Sequence, residues 1–278
     1  MTFLMVDKEK CRQDGLCAMD CPAGIIVFNG PGHYPELKPR GEKGCLRCGH
    51  CVAVCPHGAM DHAEVSLAQS PAIDPVLAIS PAQAEQFLRS RRSVRRFKSR
   101  PVDRADLQQV IEIARYAPTA ANSQLVRWRV MDDQKQITAI AEKVIDWIRK
   151  WLEKDKTSAP PYMVRVIKNW ENGVDSIFHS APCLVVAMAP EAARNGMVDL
   201  ILSLSYLELA APGFGLGTCW AGMLQGALKD LPSLRMDLGI PPDFPFYYTL
   251  MIGYGAVKYH RLPQRKAPEI IWDQDQRR

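Results

Sequence analysis

The sequence predicts an α+β protein in which a small cysteine-rich domain precedes a larger domain built from a sheet covered by helices. Two observations support this prediction. Seven of the nine cysteines lie within the first 55 residues, and the remainder of the 278-residue chain alternates helical and extended segments. Because that alternation lacks regular strand–helix–strand repeats, a mixed sheet with helices on its faces is expected, and not a dinucleotide-binding fold.

The domain boundary is expected between the last N-terminal cysteine and the first capped helix. The stretch from Pro56 to Pro81 has no strong periodicity, which is typical of a connector. We therefore assign residues 1–67 to the small domain, 68–80 to a linker and 81–278 to the larger domain.

Local signals predict the individual elements. In the small domain, residues 24–41 carry a β-branched run followed by a turn rich in Gly and Pro, as a short hairpin would. In the larger domain, Ser80–Pro81 begins one helix and Asp103 caps another that has an apolar stripe. That stripe comprises Leu107, Val110, Ile111 and Ala114. Periodicity also predicts strands at 126–132, 183–189 and 246–255, a long helix that ends near Lys154, and an apolar helix at Asp199–Ala211.

Charge and hydropathy argue against two function classes. The net charge of +5 is mild, and the basic clusters at 89–100 and 258–266 lack the stacking aromatic residues of a nucleic-acid-binding surface. The longest apolar stretch, 200–223, is interrupted by Glu208 and Pro212, so no membrane span is predicted. The N-terminus shows no signal-peptide pattern, and a cytoplasmic location is expected.

The strongest motif is the string CLRCGHCVAVCP, which contains Cys45, Cys48, Cys51 and Cys55 followed by Pro56. Its spacing, C-x2-C-x2-C-x3-C-P, is that of bacterial ferredoxins, in which the fourth cysteine ligates the other cluster of a pair. Three thiolates on one tight loop can hold three corners of an iron–sulfur cubane, while the fourth leaves on a helical turn toward the neighbouring cluster.

The string CRQDGLCAMDCP repeats this motif earlier in the chain, with Asp14 at the position of the second cysteine. The repeat resembles the duplicated halves of bacterial two-cluster ferredoxins, and the resemblance covers about the first 65 residues. It implies a [4Fe-4S] cluster on Cys21, Cys45, Cys48 and Cys51, and a [4Fe-4S] or [3Fe-4S] cluster on Cys11, Cys17 and Cys55 with Asp14 as the candidate fourth ligand.

Two alternatives stay open for this domain. Paired C-x2-C sequences are common zinc ligands, although the doubled motif favours iron–sulfur clusters. A carboxylate is a harder and weaker iron ligand than a thiolate, so Asp14 implies a labile, oxygen-ligated iron or a three-iron cluster. In the alternative interpretation, Asp14 is an exposed turn residue, and solvent or another group completes the site.

Three segments of the larger domain suggest a ligand site. RRSVRRF at 91–97 surrounds a hydroxyl with arginines, which suits a phosphate. APTAANSQLVRW at 117–128 forms a polar loop able to hydrogen-bond a planar heterocycle. In GFGLGTCWAGM at 213–223, glycines expose backbone N–H groups to a ligand, but the segment does not match the dinucleotide fingerprint.

Together and in this order, the three segments resemble the nitroreductase family of FMN enzymes. The family combines R-x-S-x-R/K, a P-S-x-x-N-S-Q-P-W type loop and a GLG-[ST]-C-W segment, and the similarity runs from about Glu85 to the C-terminus. Leu125, Val126 and Arg127 replace the usual Pro-Trp, so this loop is expected to be shaped differently. The resemblance implies a nitroreductase-like α+β sandwich that binds FMN at the interface of a homodimer.

The resemblance also implies the contacts to FMN. Basic residues and a hydroxyl would hold the phosphate or ribityl chain, the polar loop would meet the isoalloxazine edge, and a glycine-rich backbone would lie near flavin N5. The phosphate or ribityl contacts are Arg91, Arg92, Ser93 and Arg95 with Arg261 and Arg265 from the tail; the loop contacts are Asn122 with Pro118, Thr119 and Gln124; and the backbone near N5 is that of Ala221, Gly222 and Met223.

No catalytic side chain is predicted, because a flavin carries the chemistry itself. The expected activity is reduction of a small electron-poor acceptor, such as a nitro compound, quinone or enone, with electrons relayed through the clusters from a donor protein or NAD(P)H. One alternative is another flavin reaction on the same scaffold, such as dehalogenation or flavin processing. The other is an electron-transfer or redox-sensing module without a substrate of its own.

Two further features have structural interpretations. Residues 145–180 carry Trp147, Trp151, Tyr162 and Trp170, which either form a lid or dimer-wrapping element or pack helices together. Cys183 and Cys219 lie outside any ligand spacing and are expected to be buried thiols.

Overall fold

The computed structural model describes residues 3–155 and 159–273. These residues form two compact units. The first contains the chain through Ala78 together with Pro118–Leu125 and Ala193–Asn195. The second contains Ile79–Ala117, Val126–Ala192 and the chain from Gly196 onward. Both helices and sheets are present, which confirms the α+β prediction.

The first unit is built from two short antiparallel ribbons and two single-turn helices. The ribbon predicted between the cysteine runs is present. The other ribbon pairs the segment before the first run with the segment after the second. In chain order the elements are β1 (Leu4–Val6), α1 (Leu16–Met19), β2 (Ile26–Val27), β3 (Glu36–Leu37), α2 (His50–Ala53) and β4 (Met60–His62), with β1 paired to β4 and β2 to β3.

The internal repeat is visible in the backbone of this unit. Gly15 and Gly49 occupy equivalent positions of the two cysteine runs, and both have φ 73° and ψ 2° at the residue preceding α1 and α2. Gln13 and Arg47 are also equivalent and also left-handed, with φ of 57° and 52°. Left-handed backbone turns the chain sharply, so each run wraps its cysteines around one side of a cavity.

The second unit contains a four-stranded antiparallel sheet in the order β5-β6-β8-β7. All seven residues of β6 are buried, and its alternate side chains Leu184, Val186 and Met188 belong to the main hydrophobic core. The predicted strands are confirmed to within two residues, and they are β5 (Arg127–Met131), β6 (Cys183–Ala189) and β8 (Phe246–Tyr254), to which the structure adds β7 (Leu216–Trp220).

Residues 213–223 contain a strand that the sequence did not predict. The segment from Leu216 to Trp220 is β7, and Thr218 pairs with Ile252 of β8. On its other side the Val94 N–H donates to the Thr218 carbonyl at 2.8 Å. Gly217 lowers β-propensity and obscures the strand in the sequence, yet a Cβ there would lie 2.5 Å from Val94 Cγ2.

Helices cover both faces of the sheet. Ser80 and Gln83 form a reciprocal capping box, and Asp103 and Asp133 cap two further helices through their carboxylates, as the sequence predicted for Ser80 and Asp103. The helices are α3 (Pro81–Ser90), α4 (Arg104–Ala114), α5 (Gln134–Lys154), α6 (Tyr162–Glu171), α7 (Gly196–Ala210), α8 (Gly222–Asp230) and α9 (Ser233–Asp237).

The helix α7 has apolar side chains on all its sides, with a few polar residues among them. Among the described residues, α7 with the turn that follows it, Gly196–Phe214, is the one helical segment that is long and apolar enough to cross a membrane. The helix packs on β6, β8 and α4, and it buries Asp199 and Glu208. Glu208 has hydrogen-bond partners inside the protein, and Asp199 is not without a partner. Buried, partnered carboxylates are typical of a helix in the core of a globular domain.

The aromatic residues of 145–180 pack helices together. The Trp147 Nε1–H donates to the Asp230 carboxylate of α8 at 2.8 Å, and the Trp147 and Trp151 rings are 5.2 Å apart. Trp170 packs partly buried against the main core, whereas Tyr162 is 48% exposed. These contacts favour the packing interpretation over a lid for the three tryptophans.

Candidate functional site

Four cysteines line one cavity of the first unit. Cys45, Cys48 and Cys51 come from the second run, and Cys21 reaches the same cavity from the first run. The last cysteine of one repeat therefore joins the first three of the other, which is the crossed arrangement that the resemblance implied.

Burial and mutual repulsion act on the thiols of this cavity. The pKa of Cys51 is raised to about 11, first by desolvation and then by the negative charge of Cys48, Cys21 and Cys45. A thiol with such a pKa is protonated at neutral pH, so iron binding must displace its proton. The charges that act on Cys51 are those of the three other cysteines of the cavity.

A second cavity of the first unit is lined by Cys11, Cys17 and Cys55 together with Asp14 and His57. Desolvation is the largest of the causes that raise the pKa of Cys17 to about 11, and the charges of Cys55 and Asp14 act in the same direction. Here the last cysteine of the second run joins the first run. Each cavity is thus lined by the last cysteine of the other run.

Asp14 stands where Cys48 stands in the other run, and its carboxylate makes two contacts. One oxygen accepts the Leu16 N–H at 3.1 Å, and the other lies 3.5 Å from Nε2 of His57. The Asp14 side chain is 36% exposed. The carboxylate therefore lies at the cavity wall, with one oxygen near the His57 ring.

The donor set fits a polynuclear cluster better than a single ion. Tetrahedral zinc needs its ligands around one point, with sulfur at about 2.3 Å from the metal. Within residues 3–155 and 159–273, no group of three His, Cys, Asp or Glu side chains meets that condition. The eight predicted ligands instead surround two separate volumes, as two iron–sulfur clusters require.

Hydrogen bonds reach two of the cysteine sulfurs. The Arg47 N–H donates to Cys45 Sγ at 3.3 Å, and the Ala59 N–H donates to Cys55 Sγ at 3.3 Å. Nε2 of His62 also lies 3.5 Å from Cys45 Sγ, and burial lowers the pKa of this histidine. The sequence interpretation missed His62, since nothing in the cysteine spacing points to a residue seven positions after Cys55.

The structure gives Asn122 partners other than the predicted flavin edge. Its Nδ2 amide donates to the carbonyls of Leu46 and Arg47, each at 3.0 Å. Loop 118–125 belongs to the first unit, and the chain on both sides of it belongs to the second. The Asn122 amide therefore holds this loop on the turn between Cys45 and Cys48.

The same loop has an unusual backbone. Ala121, Asn122 and Gln124 are left-handed, with φ of 53°, 54° and 50°. The Thr119 hydroxyl accepts the Gln124 N–H at 3.0 Å and closes the turn. Three left-handed non-glycine residues in four are costly, and such geometry concentrates at functional sites. Pro118 begins this loop.

In the second unit, Arg91 is engaged by a buried carboxylate. Its guanidinium donates to Glu208 Oε1 at 3.0 Å. Glu208 also accepts the Trp220 indole N–H at 3.0 Å and the Thr218 hydroxyl at 3.4 Å. Ser93 forms a β-bridge with Thr218, so these contacts position the RRSVRRF segment along β7.

The N-terminus of α8 is open. The Ala221 N–H donates to the Thr249 carbonyl, whereas α8 has no side-chain N-cap. Apart from its chain neighbours and the backbone of α8 itself, nothing lies within 4 Å of the position where a Cβ on Gly222 would be. Nearby side-chain oxygens of Gln225 and Thr249 are buried without a partner. Free helix N–H groups beside open space suit a flat ligand with acceptor atoms, which fits the predicted contacts at 221–223.

Two of the predicted contacts share a cavity of about 750 Å³ within the second unit. Arg95 and Met223 line it together with Arg96, Arg165 and Asp175, so its walls carry a net positive charge. Burial lowers the pKa of His179 and favours the neutral imidazole. The volume lies in the range of cofactor and small-molecule sites.

The remaining predicted contacts are more peripheral. The guanidinium of Arg92 lies 5.9 Å from the centre of the Tyr259 ring. Arg261 and Arg265 are exposed in the extended C-terminal segment. Cys183 and Cys219 are buried thiols as expected, and burial raises the pKa of Cys183 to about 12.

Comparison with known proteins gives matches for both units. The 4Fe-4S dicluster domain model matches residues 9–60, and the nitroreductase family model matches residues 88–254.

Solved structures share the fold of the larger part. A nitroreductase with bound FMN from Bacteroides fragilis NCTC 9343 is 20% identical, with a TM-score of 0.53 over 68% of this chain and 99% of that chain. A nitroreductase with bound FMN from Desulfitobacterium hafniense DCB-2 is 19% identical, with a TM-score of 0.52 over 69% of this chain and 94% of that chain. An oxidized iodotyrosine deiodinase bound to FMN and 3-iodo-L-tyrosine is 19% identical, with a TM-score of 0.52 over 67% and 97%.

At these identities the structural likeness establishes the fold, whereas the family model extends over more than half of the sequence. The chain therefore belongs to the nitroreductase family and carries an N-terminal 4Fe-4S dicluster domain.

Proposed function

We propose that the protein is an FMN-dependent oxidoreductase that reduces a small electron-poor acceptor with electrons relayed from its iron–sulfur domain. The acceptor classes are nitro compounds, quinones and enones, and the electron source is a donor protein or NAD(P)H. When bound, FMN accepts electrons singly or as hydride and passes them to an acceptor, while iron–sulfur clusters transfer electrons singly.

The observation that carries the proposal is the hydrogen bonding of Asn122. Its amide joins loop 118–125 to the turn between Cys45 and Cys48 within the first unit. In the nitroreductase resemblance, this loop borders the isoalloxazine. One short polar loop thus links the residues proposed to hold a cluster with those proposed to border FMN. We assign the donor side of the relay to the cluster at Cys21, Cys45, Cys48 and Cys51.

The second unit supplies the residues that would hold FMN. Arg95 faces the basic cavity, and Arg91 is oriented by Glu208 so that its other nitrogens can meet a phosphate. The open N-terminus of α8 offers the N–H groups of Gly222 and Met223 to the ring. Met223 lines the cavity and would shield the ring from water.

The relay is tested in the full-length protein with Cys48→Ala. Reduced ferredoxin is mixed anaerobically with the protein in a stopped-flow instrument, and the flavin absorbance is followed. We expect the variant to retain its FMN but to lose flavin reduction by ferredoxin, because one cluster can no longer assemble. Cys183→Ala is the matched control, since that thiol is buried outside both cysteine cavities.

Equal rates of flavin reduction in Cys48→Ala and the wild type would contradict the relay. The acceptor is identified by adding nitroaromatic, quinone, enone and haloaromatic compounds to the reduced protein and measuring reoxidation. Acceleration by none of these compounds would favour an electron-transfer or redox-sensing module instead.

We further propose that Asp14 is the fourth ligand of the second cluster, because it lines the cavity with Cys11, Cys17 and Cys55. We expect mild oxidation of the wild type to release the labile iron and give a three-iron EPR signal. Asp14→Cys should abolish that signal, because thiolate holds the iron more tightly. Asp20→Cys adds a cysteine at an exposed position of the same run and should leave that signal unchanged. Identical spectra for Asp14→Cys and the wild type would make Asp14 a bystander.

We propose a homodimer assembled in part through α7. Its exposed apolar side chains Met197, Val198 and Tyr206 are 38%, 57% and 40% accessible. Sedimentation equilibrium should then give twice the 31.1 kDa of one chain. A monomer that retains FMN would contradict this.

We also propose a cytoplasmic location. No disulfide joins any of the nine cysteines, and cysteines stay reduced in the cytoplasm.

A further inference from the structure

His62 has one tautomer because its two ring nitrogens have different partners. Nδ1 accepts the backbone N–H groups of Glu64 at 3.0 Å and Val65 at 3.2 Å. A backbone amide only donates, so Nδ1 carries no proton. The proton of the neutral imidazole is therefore on Nε2.

The Nε2–H faces a cysteine sulfur. Nε2 lies 3.5 Å from Cys45 Sγ, and His62 lines the same cavity as Cys45 and the other three cysteines of that set. Donor–acceptor distances to sulfur exceed those to oxygen because the sulfur atom is larger. The geometry is that of an N–H donor aimed at a thiolate.

The imidazole is held in this orientation from several sides. His62 is 2% exposed, and it ends strand β4 opposite Leu4 of β1. The Phe3 ring packs edge-on against it, with the ring centres 4.5 Å apart. The Asp61 carboxylate accepts the His62 and Leu67 N–H groups, each at 2.8 Å, and so fixes the turn that supplies the two donors to Nδ1. The ring cannot turn away without breaking these contacts.

We infer that His62 is a positioning residue that donates a hydrogen bond from Nε2 to the Cys45 sulfur and thereby raises the reduction potential of the cluster held by that cavity. Each reduction adds negative charge to the cluster and its thiolates. A fixed donor at one sulfur stabilises the reduced form more than the oxidised form.

The second cavity provides an internal reference. There the histidine, His57, faces the Asp14 carboxylate and not a sulfur. A change at His62 should therefore move the potential of one cluster and leave that of the other in place. The inference concerns the cluster alone and holds whether or not electrons proceed to FMN.

Two substitutions separate the hydrogen bond from the structural role of the ring. His62→Asn can place its side-chain oxygen near the position of Nδ1, where it accepts from Glu64 and Val65, but it has no donor at the position of Nε2. His62→Gln can bring an amide N–H close to Nε2 and toward Cys45. His33→Asn is the matched control, since His33 is exposed in the same unit and lines neither cysteine cavity.

Potentials are measured on the full-length protein by redox titration followed by EPR, with iron and sulfide determined for each variant. We expect His62→Asn to shift the potential of one cluster to more negative values. His62→Gln should recover most of the wild-type potential, and His33→Asn should match the wild type. A fully loaded His62→Asn protein with the wild-type potential would overturn the inference.

A measurement on the wild type covers the case in which His62→Asn fails to fold. Protein labelled with ¹⁵N in its histidine rings is reduced, and pulsed EPR records nitrogen coupled to the cluster through the N–H···S bond. We expect a coupling that persists in His33→Asn and disappears in His62→Gln, whose amide is unlabelled. Absence of that coupling in the wild type would overturn the inference.

Discussion

Replacing Cys21 with Ala is expected to remove one complete cluster, about four irons per chain, while the cluster at the Asp14 cavity stays assembled. Cys21 belongs to the first run by sequence, yet it lines the cavity of Cys45, Cys48 and Cys51. An uncrossed arrangement predicts damage to the opposite cluster. Iron analysis and EPR of the reduced protein distinguish the two outcomes.

The reciprocal substitution and a matched control sharpen this experiment. Cys55→Ala should damage the cluster that Cys21→Ala leaves intact, because Cys55 lines the cavity with Cys11 and Cys17. Cys183→Ala, in β6 and outside both cavities, should keep the full iron content. Loss of the Asp14-associated EPR signal in Cys21→Ala, with the other signal retained, would disprove the crossed ligation.

Replacing Glu208 with Ala is expected to destabilise the second unit by about 3 kcal/mol, the range for breaking a buried ion pair. The Glu208 side chain is 8% exposed and that of Arg91 is 25% exposed. The substitution removes the acceptor for Arg91, Thr218 and Trp220, and it leaves a largely buried guanidinium without its carboxylate. The midpoint temperature of thermal unfolding should fall by roughly 6 to 12 °C.

Glu112→Ala is the matched control for Glu208→Ala. Glu112 pairs with Arg115 on the surface of α4, where the two side chains are 57% and 58% exposed. Exposed pairs contribute at most about 1 kcal/mol, so the unfolding temperature should barely move. Equal effects of the two substitutions would show that the Arg91–Glu208 pair has no special role in anchoring the RRSVRRF segment.

Two interactions converge on the turn between Cys45 and Cys48. His62 approaches the Cys45 sulfur on one side, and the Asn122 amide binds the Leu46 and Arg47 carbonyls. Both involve the same proposed cluster and neither involves the Asp14 cavity. The two proposed cluster sites therefore have different surroundings, although the cysteine runs that form them are repeats.

The sequence alone determined the features that depend on short-range geometry. The cysteine spacing predicts two cluster motifs because ligands on one loop must be a few residues apart, and the structure brings those cysteines together at two cavities. Helix ends were also predictable, since a cap is a local interaction, as Ser80 and Asp103 show. The crossed use of Cys21 and Cys55 came from the resemblance to two-cluster ferredoxins.

Only the tertiary structure decided which distant groups meet. His62 faces Cys45 because strand pairing with β1 brings it there, and Asn122 meets Leu46 across 76 positions of sequence. The Arg91–Glu208 pair spans 117 positions. β7 was hidden because Gly217 has low strand propensity, and its place in the sheet depends on Val94 and β8. Such contacts follow from the packing of whole elements. The residues next to each partner in the sequence therefore carry no signal that predicts them.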